Sequence, residues 1–268
     1  MNVLYLKKAI IISLLILSIC LLPSCRGAED RVIAAGSTSV QPYAEILAEE
    51  FALAYPDTEI DIQGGGSAAG ITAAQSGTAE IGMSSRALKD DEKGLWVVEI
   101  AKDGLAVIIN PANAVSDLTL EQIRDIYTND IVNWGEVGGS DAKIHIIARE
   151  EGSGTRSAFE DLVMGKDRLI TPKAIIQGSN GTIRQLVAGD PNAIGFISLG
   201  LVDGTVKALR LGGVEASKEN VISGSYKLFR PFLFLAEREP EGPAKQFIDF
   251  ALSEEGQRIL SNEGLIPE

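Results

Sequence analysis

The chain has almost nothing from which to build a thiolate or imidazole centre. Its 268 residues hold two cysteines, Cys20 and Cys25, and one histidine, His145. Both cysteines lie in the first 25 residues, so the body of the chain has no disulfide framework and no Cys/His metal cluster to draw on. No metal or other cofactor is expected. Basic residues are scarce as well: 24 Lys and Arg against 37 Asp and Glu give a formal net charge of −13. A chain this acidic is a poor match for nucleic acid, which selects basic faces. Local N–H groups and helix ends can still hold an anion against an unfavourable net charge, so an anionic ligand is not excluded. Long apolar runs are missing too. AIIISLLILSICLL, from Ala9 to Leu22, falls short of the ~20 residues of a comfortable membrane span and suits the apolar core of a signal peptide.

That run follows Lys7 and Lys8 and ends in LLPSC, Leu21 to Cys25. A leucine, small or turn-forming residues and then cysteine resemble the lipobox of bacterial lipoproteins. The resemblance implies that residues 1–24 are a signal peptide and that the Cys25 thiol carries a diacylglyceryl anchor. An ordinary signal peptide cut nearby, or a retained N-terminal anchor, are the other readings. All three put the protein outside the cytoplasm, on the outer face of the cell membrane or in a periplasm. Residues 25–31 then form a polar tether. The mature chain keeps 22 basic and 37 acidic residues, and its length suffices for one large domain or two lobes with cores of their own.

From residue 32 onward, apolar runs alternate with amphipathic ones, and no internal repeat is seen. VIAAG reads as a strand and SVQPYAEILAEEFALAYP as a helix, with Val40, Tyr43, Leu47, Phe51 and Ala54 on one face. TEIDIQ, AEIGMSS, GLAVIINP, IHIIARE, AIIQGS, AIGFISLG and RPFLFLAE read as further strands. Between and after them SAAGITAAQSG, LTLEQIRDIYT, SGTRSAFEDLVMG, GTIRQLVAGD and the pair in PAKQFIDFALSEEGQRILSNEG read as helices. The alternation predicts an α/β architecture with mostly parallel sheets.

In such sheets ligands bind beyond the strands' C-terminal ends, where glycine-rich loops lead into helices. Four loops here have that character: AAGSTSVQP, QGGGSAAG, IGMSSR and REEGSGTR. Each pairs glycine or hydroxyl residues with a strand end. A single one is an ordinary helix cap. Four that converge describe an anion cradle.

These segments, with QGSNGTIRQLVAGDPNAIGFISLG, resemble in order and spacing the phosphate-binding proteins of bacterial and archaeal ABC phosphate transporters. The resemblance covers nearly the whole mature chain. It implies a type II periplasmic-binding-protein fold, two α/β lobes with a ligand cleft between them. Lobe 1 is expected over 32–110 and 230–268 and lobe 2 over 111–229, with crossings near Ile108 to Asn113 and Ser225 to Pro231. The implied ligand is inorganic phosphate, the implied partner an ABC permease in the membrane, and the implied state a monomer. By matching position, Thr38, Ser39, Ser67, Arg149, Ser153, Gly154 and Thr155 would bind phosphate. Glu151 would hold Arg149 in place. Where many members have an aspartate that accepts the proton of hydrogen phosphate, this chain has Ser85, which weakens selection against sulfate. Arg86 beside it would either turn into the cleft as a second cation or lie on the surface.

Other classes fare worse. The nucleophile elbow G-x-S-x-G is absent around GSGTR, and no metal-ligand cluster supports a secreted phosphatase. GGGSAA meets a relaxed dinucleotide fingerprint at Gly64, Gly66 and Ala69, a weak match on an exported chain. MGKD lacks the hydroxyl of a Walker motif. Trp96, Trp134 and YKLFRPFLF could form an adhesive patch, but large aromatics in such folds usually fill cores. Sulfate or arsenate binding is the nearest alternative to phosphate.

Overall fold

The computed structural model describes residues 30–165 and 167–268. The expected signal peptide, the expected anchor at Cys25 and most of the expected tether lie outside them.

The N-terminal half opens with β1 (Asp30–Gly36), α1 (Gln41–Ala54), β2 (Thr58–Gly64), α2 (Ser67–Ser76) and β3 (Ile81–Ser84). Pro42 sits in the first turn of α1, where its missing N–H costs nothing, and Tyr43, Ala44, Leu47 and Phe51 form the buried face. The long strand β4 (Trp96–Ile109) follows, then β5 (Asp117–Leu118) and α3 (Leu120–Thr128), which Thr119 opens with a capping box to Gln122. Next come β6 (His145–Arg149), α4 (Gly154–Phe159), β7 (Ile175–Gln177), α5 (Asn180–Gly189) and β8 (Ala193–Ser198). Short elements β9 (Lys207–Ala208), β10 (Arg210–Leu211) and α6 (Lys218–Ile222) lead to β11 (Phe229–Ala236). The chain closes with α7 (Gly242–Leu252), α8 (Glu254–Asn262) and β12 (Ile266–Pro267).

The main sheet runs in the order β2-β1-β3-β11-β4-β8-β6-β7. It is parallel at its two ends, β2-β1-β3 and β8-β6-β7. The centre departs from the mostly parallel sheet the alternation predicts. There β11 runs antiparallel to both β3 and β4, and β4 antiparallel to β8. The pairing of β4 changes partner along its length. Trp96 to Gly104 face β11, and Leu105 to Ile109 face β8.

Two separate cores flank that changeover. Leu47, Phe51, Ile81, Met83, Phe232, Phe234 and Phe247 fill one. Tyr127, Trp134, Phe159 and Phe196 anchor the other, with the rings of Phe159 and Phe196 stacked 4.0 Å apart. Trp134, Tyr226, Leu228, Phe232 and Phe234 are therefore packing residues, while Phe229 stays partly exposed. The architecture is a mixed α/β fold of two lobes around a curled sheet.

Close backbone contact joins the first lobe's loops. A Cβ on Gly70 would lie 2.6 Å from the carbonyls of Ala35 and Met83, so only glycine lets α2 settle against β1 and β3. That contact brings the start of α2 to the ends of both strands.

Candidate functional site

Among the described residues, those named from sequence for the cleft sit at strand ends, at helix starts or in the turns between them. After β1, Ser37 Oγ accepts the N–H groups of Ser39 at 3.2 Å and Val40 at 3.4 Å, shaping the turn into α1. After β2, the N–H groups of Gly65 and Gly66 both bond the Gly36 carbonyl, and Ser67 follows as the first residue of α2. Ser84 ends β3 with Ser85 directly after it, and Arg149 ends β6. Ser153 caps α4 by accepting the Arg156 N–H at 3.3 Å, leaving Gly154 and Thr155 in its first turn.

The fold brings these ends together. Ser39 Oγ and Thr155 Oγ1 lie 2.7 Å apart, Arg149 Nη2 donates to Thr38 Oγ1 at 2.9 Å, and Arg149 Nη1 donates to Thr155 at 3.4 Å. Ser67 Oγ accepts the Ser85 N–H at 3.0 Å and lies 3.3 Å from its hydroxyl. Across the cleft the Ala68 N–H donates to the Gly152 carbonyl at 3.1 Å. Arg149 is 1% exposed, and Ser39, Ser67, Ser85, Ser153 and Thr155 are equally sealed. A buried guanidinium ringed by hydroxyls and helix-start N–H groups is a shell of donors, which is what a desolvated oxyanion requires.

Two expectations are corrected. The carboxylate that orients Arg149 belongs to Glu150, whose two oxygens take Nε at 2.9 Å and Nη2 at 2.8 Å. Glu151 is exposed in the turn that follows. Because β6 ends at Arg149, the next side chain alone can fold back on it. Arg86 neither enters the cleft nor lies on the surface: it is 6% exposed and makes a bidentate pair with Glu92, both bonds 2.6 Å long. That guanidinium holds the Glu92 carboxyl below the usual range.

Several cleft residues escaped the sequence reading. Asn180 Nδ2 donates to Ser39 Oγ at 2.8 Å, and its Oδ1 is buried without a partner. A second buried cation comes from β11. Arg230 donates through Nε and Nη2 to Asp103 Oδ2, at 3.1 and 2.9 Å, and through Nη1 to Ser85 Oγ at 3.3 Å. Ser198 donates to the other oxygen of Asp103 at 2.7 Å. Burial pushes the Asp103 carboxyl up and the Arg230 guanidinium down, and each opposes the other's shift. The available signal for Arg230 was a lone arginine inside an apolar strand.

His145 lies at the opposite end of β6 from Arg149, with Nδ1 2.6 Å from Asp190 Oδ2, and takes no part in the cleft. Among the described residues no group of three or more His, Cys, Asp or Glu could hold a metal ion.

A family model described as a PBP superfamily domain matches residues 26–255. The phosphate-binding protein PstS of Bacillus subtilis is 33% identical over 238 residues, covering 87% of this chain and 79% of its own. The chain belongs to the PstS family within this superfamily. PstS of Borreliella burgdorferi is 30% identical and spans 97% of this chain and 98% of its own. Among solved structures, a phosphate ABC transporter substrate-binding protein from Clostridium perfringens, crystallised with bound phosphate, shares 50% identity. It superposes with a TM-score of 0.86 over 89% of this chain and 99% of its own. An ABC-type phosphate transport receptor from Vibrio cholerae shares 39% identity with a TM-score of 0.74, over 88% of this chain and 100% of its own.

Proposed function

We propose that the chain is an extracytoplasmic solute-binding protein that captures inorganic phosphate in this cleft and delivers it to the permease of an ABC importer. The observation that carries the reading is the buried Arg149, which joins Thr38 of one lobe to Thr155 of the other amid sealed hydroxyls. A relative of 50% identity crystallised with phosphate supports the same ligand. The proposed ligand shell is Thr38, Ser39, Ser67, Ser85, Arg149, Ser153, Gly154 and Thr155, with Ser37, Asn180 and Glu150 supporting it. Neither lobe holds the shell alone, so a bound anion favours closure by its differential contacts. The change of partner along β4 supports a hinge at Gly104–Leu105, with the return crossing at the start of β11.

The protein stripped of anion and titrated with phosphate by calorimetry should bind one equivalent with no turnover. Silence with phosphate sinks the reading. Ser85, which has no carboxylate to repel sulfate, makes general oxyanion capture the second reading; sulfate bound as well as phosphate would favour it.

We further infer that Cys25 carries the lipid anchor and that the mature protein is a monomer tethered through residues 25–31. Cys25→Ser should release the protein from membranes and abolish fatty-acid labelling; continued labelling would refute the assignment.

A further inference from the structure

Ser85 Oγ lies on the floor of the cleft with three polar side-chain neighbours: Ser37 Oγ at 2.8 Å, Arg230 Nη1 at 3.3 Å and Ser67 Oγ at 3.3 Å. The directions of two of these bonds are dictated. A guanidinium only donates. Ser37 Oγ already receives the N–H groups of Ser39 and Val40, which fills its lone pairs and sends its own proton to Ser85. A hydroxyl has two lone pairs, and both of those on Ser85 are then occupied. What Ser85 can still offer is its proton. Ser67 Oγ, a neutral acceptor 3.3 Å away, competes poorly for that proton with the charged oxygen of a bound anion.

Arg230 is held in the orientation this needs. Asp103 takes its Nε and Nη2, leaving Nη1 for Ser85, and Ser198 fixes Asp103 from the far side. Arg230 is 2% exposed and Asp103 fully buried, and the Phe232 ring lies 5.4 Å from the guanidinium carbon. The pair sits where β4 and β11 meet, beside the changeover of β4 between lobes.

We propose that Arg230 is a positioning residue which, with Ser37, commits Ser85 to donating, so this position grips a tetrahedral oxyanion without requiring a proton on it. An acceptor in the shell would select hydrogen phosphate, which brings a proton, over sulfate, which brings none. Ser85 with both lone pairs filled cannot exert that choice. The proposal rests on the reading of the cleft as a phosphate site.

The test is the phosphate-to-sulfate affinity ratio at neutral pH, measured by calorimetry on the stripped protein. Arg230→Met frees one lone pair on Ser85, and Ser37→Ala frees the other. Either change lets Ser85 accept the proton of hydrogen phosphate and gives sulfate nothing. The ratio should rise about tenfold in each variant, the equivalent of one hydrogen bond, even if both anions bind more weakly. Arg230→Lys, which still only donates, should keep a ratio near the wild-type value. Ser37→Ala leaves the Asp103–Arg230 pair intact and carries the test alone should Arg230→Met fail to fold. Equal weakening of both anions in the variants overturns the role of Arg230 while wild-type phosphate binding preserves the reading beneath it. Wild-type protein that binds neither anion overturns both.

Discussion

Arg149 and Thr38, 111 positions apart in sequence, meet across the cleft through a 2.9 Å bond from Nη2 to Oγ1. The same guanidinium reaches Thr155 and is gripped by both oxygens of Glu150. It therefore arrives at the cleft already oriented, and an incoming anion need not order it.

Removing that guanidinium leaves a buried anion without its main charge partner. Arg149→Ala should weaken phosphate binding by well over tenfold. Calorimetry reads this directly, and unchanged affinity would move the site elsewhere.

Gly154 tests closure separately from chemistry. A Cβ there would overlap the hydroxyls of Ser67 and Ser85, which belong to the opposite lobe. Gly154→Ala should cost roughly a hundredfold in phosphate affinity, as a steric block to the closed state. The unliganded melting temperature should move by no more than about 2 °C, because the clash exists only between closed lobes. A large fall in that temperature would show instead that Gly154 serves the fold of its own lobe.

Asp103 and Arg230 form an ion pair almost wholly removed from water. Asp103→Ala should destabilise the protein by about 3–5 kcal/mol, since it leaves a buried guanidinium uncompensated. Urea denaturation checks this. A loss under about 1 kcal/mol would mean that water reaches the pair.

The Arg86–Glu92 pair gives a pH signature. The Arg86 hydrogen bonds, with the Lys89 N–H and against the opposing effect of burial, hold the folded Glu92 carboxyl below its unfolded value. A depressed carboxylate contributes stability that is complete above the unfolded pKa of about 4.3 and is lost as pH falls through the folded value. Glu92→Gln should therefore be less stable than wild type at pH 7, by the roughly 1.5–3 kcal/mol of a hydrogen bond to a charged group. The two denaturation curves should converge only in acid, once pH falls below the ordinary carboxylate range. A gap independent of pH would assign the effect to packing.

Much of the fold was legible because most strands are uniform apolar runs. The expected strand GLAVIINP covers only the second part of β4, because the first part, Trp96 to Asp103, carries Glu99, Lys102 and Asp103 among its apolar residues. That same stretch pairs with β11 in the sheet's antiparallel centre, which a strand-helix alternation does not reveal. The site followed a similar division. Glycines and hydroxyls at strand ends mark the cleft in one dimension because four such loops recur, each alone being an ordinary helix cap. Arg230 does not, because its neighbours read as core. The choice between Glu150 and Glu151 turns on where β6 stops, a matter of one residue that no composition argument resolves.

The two cores share no residue, yet one strand, β4, passes through both, pairing with β11 in one lobe and β8 in the other. Its first part completes one lobe's sheet and its second part the other's, so unbroken backbone ties the two cores at the changeover. Phosphate held at the cleft contacts both lobes and should slow amide exchange in strands as remote as β2 and β7.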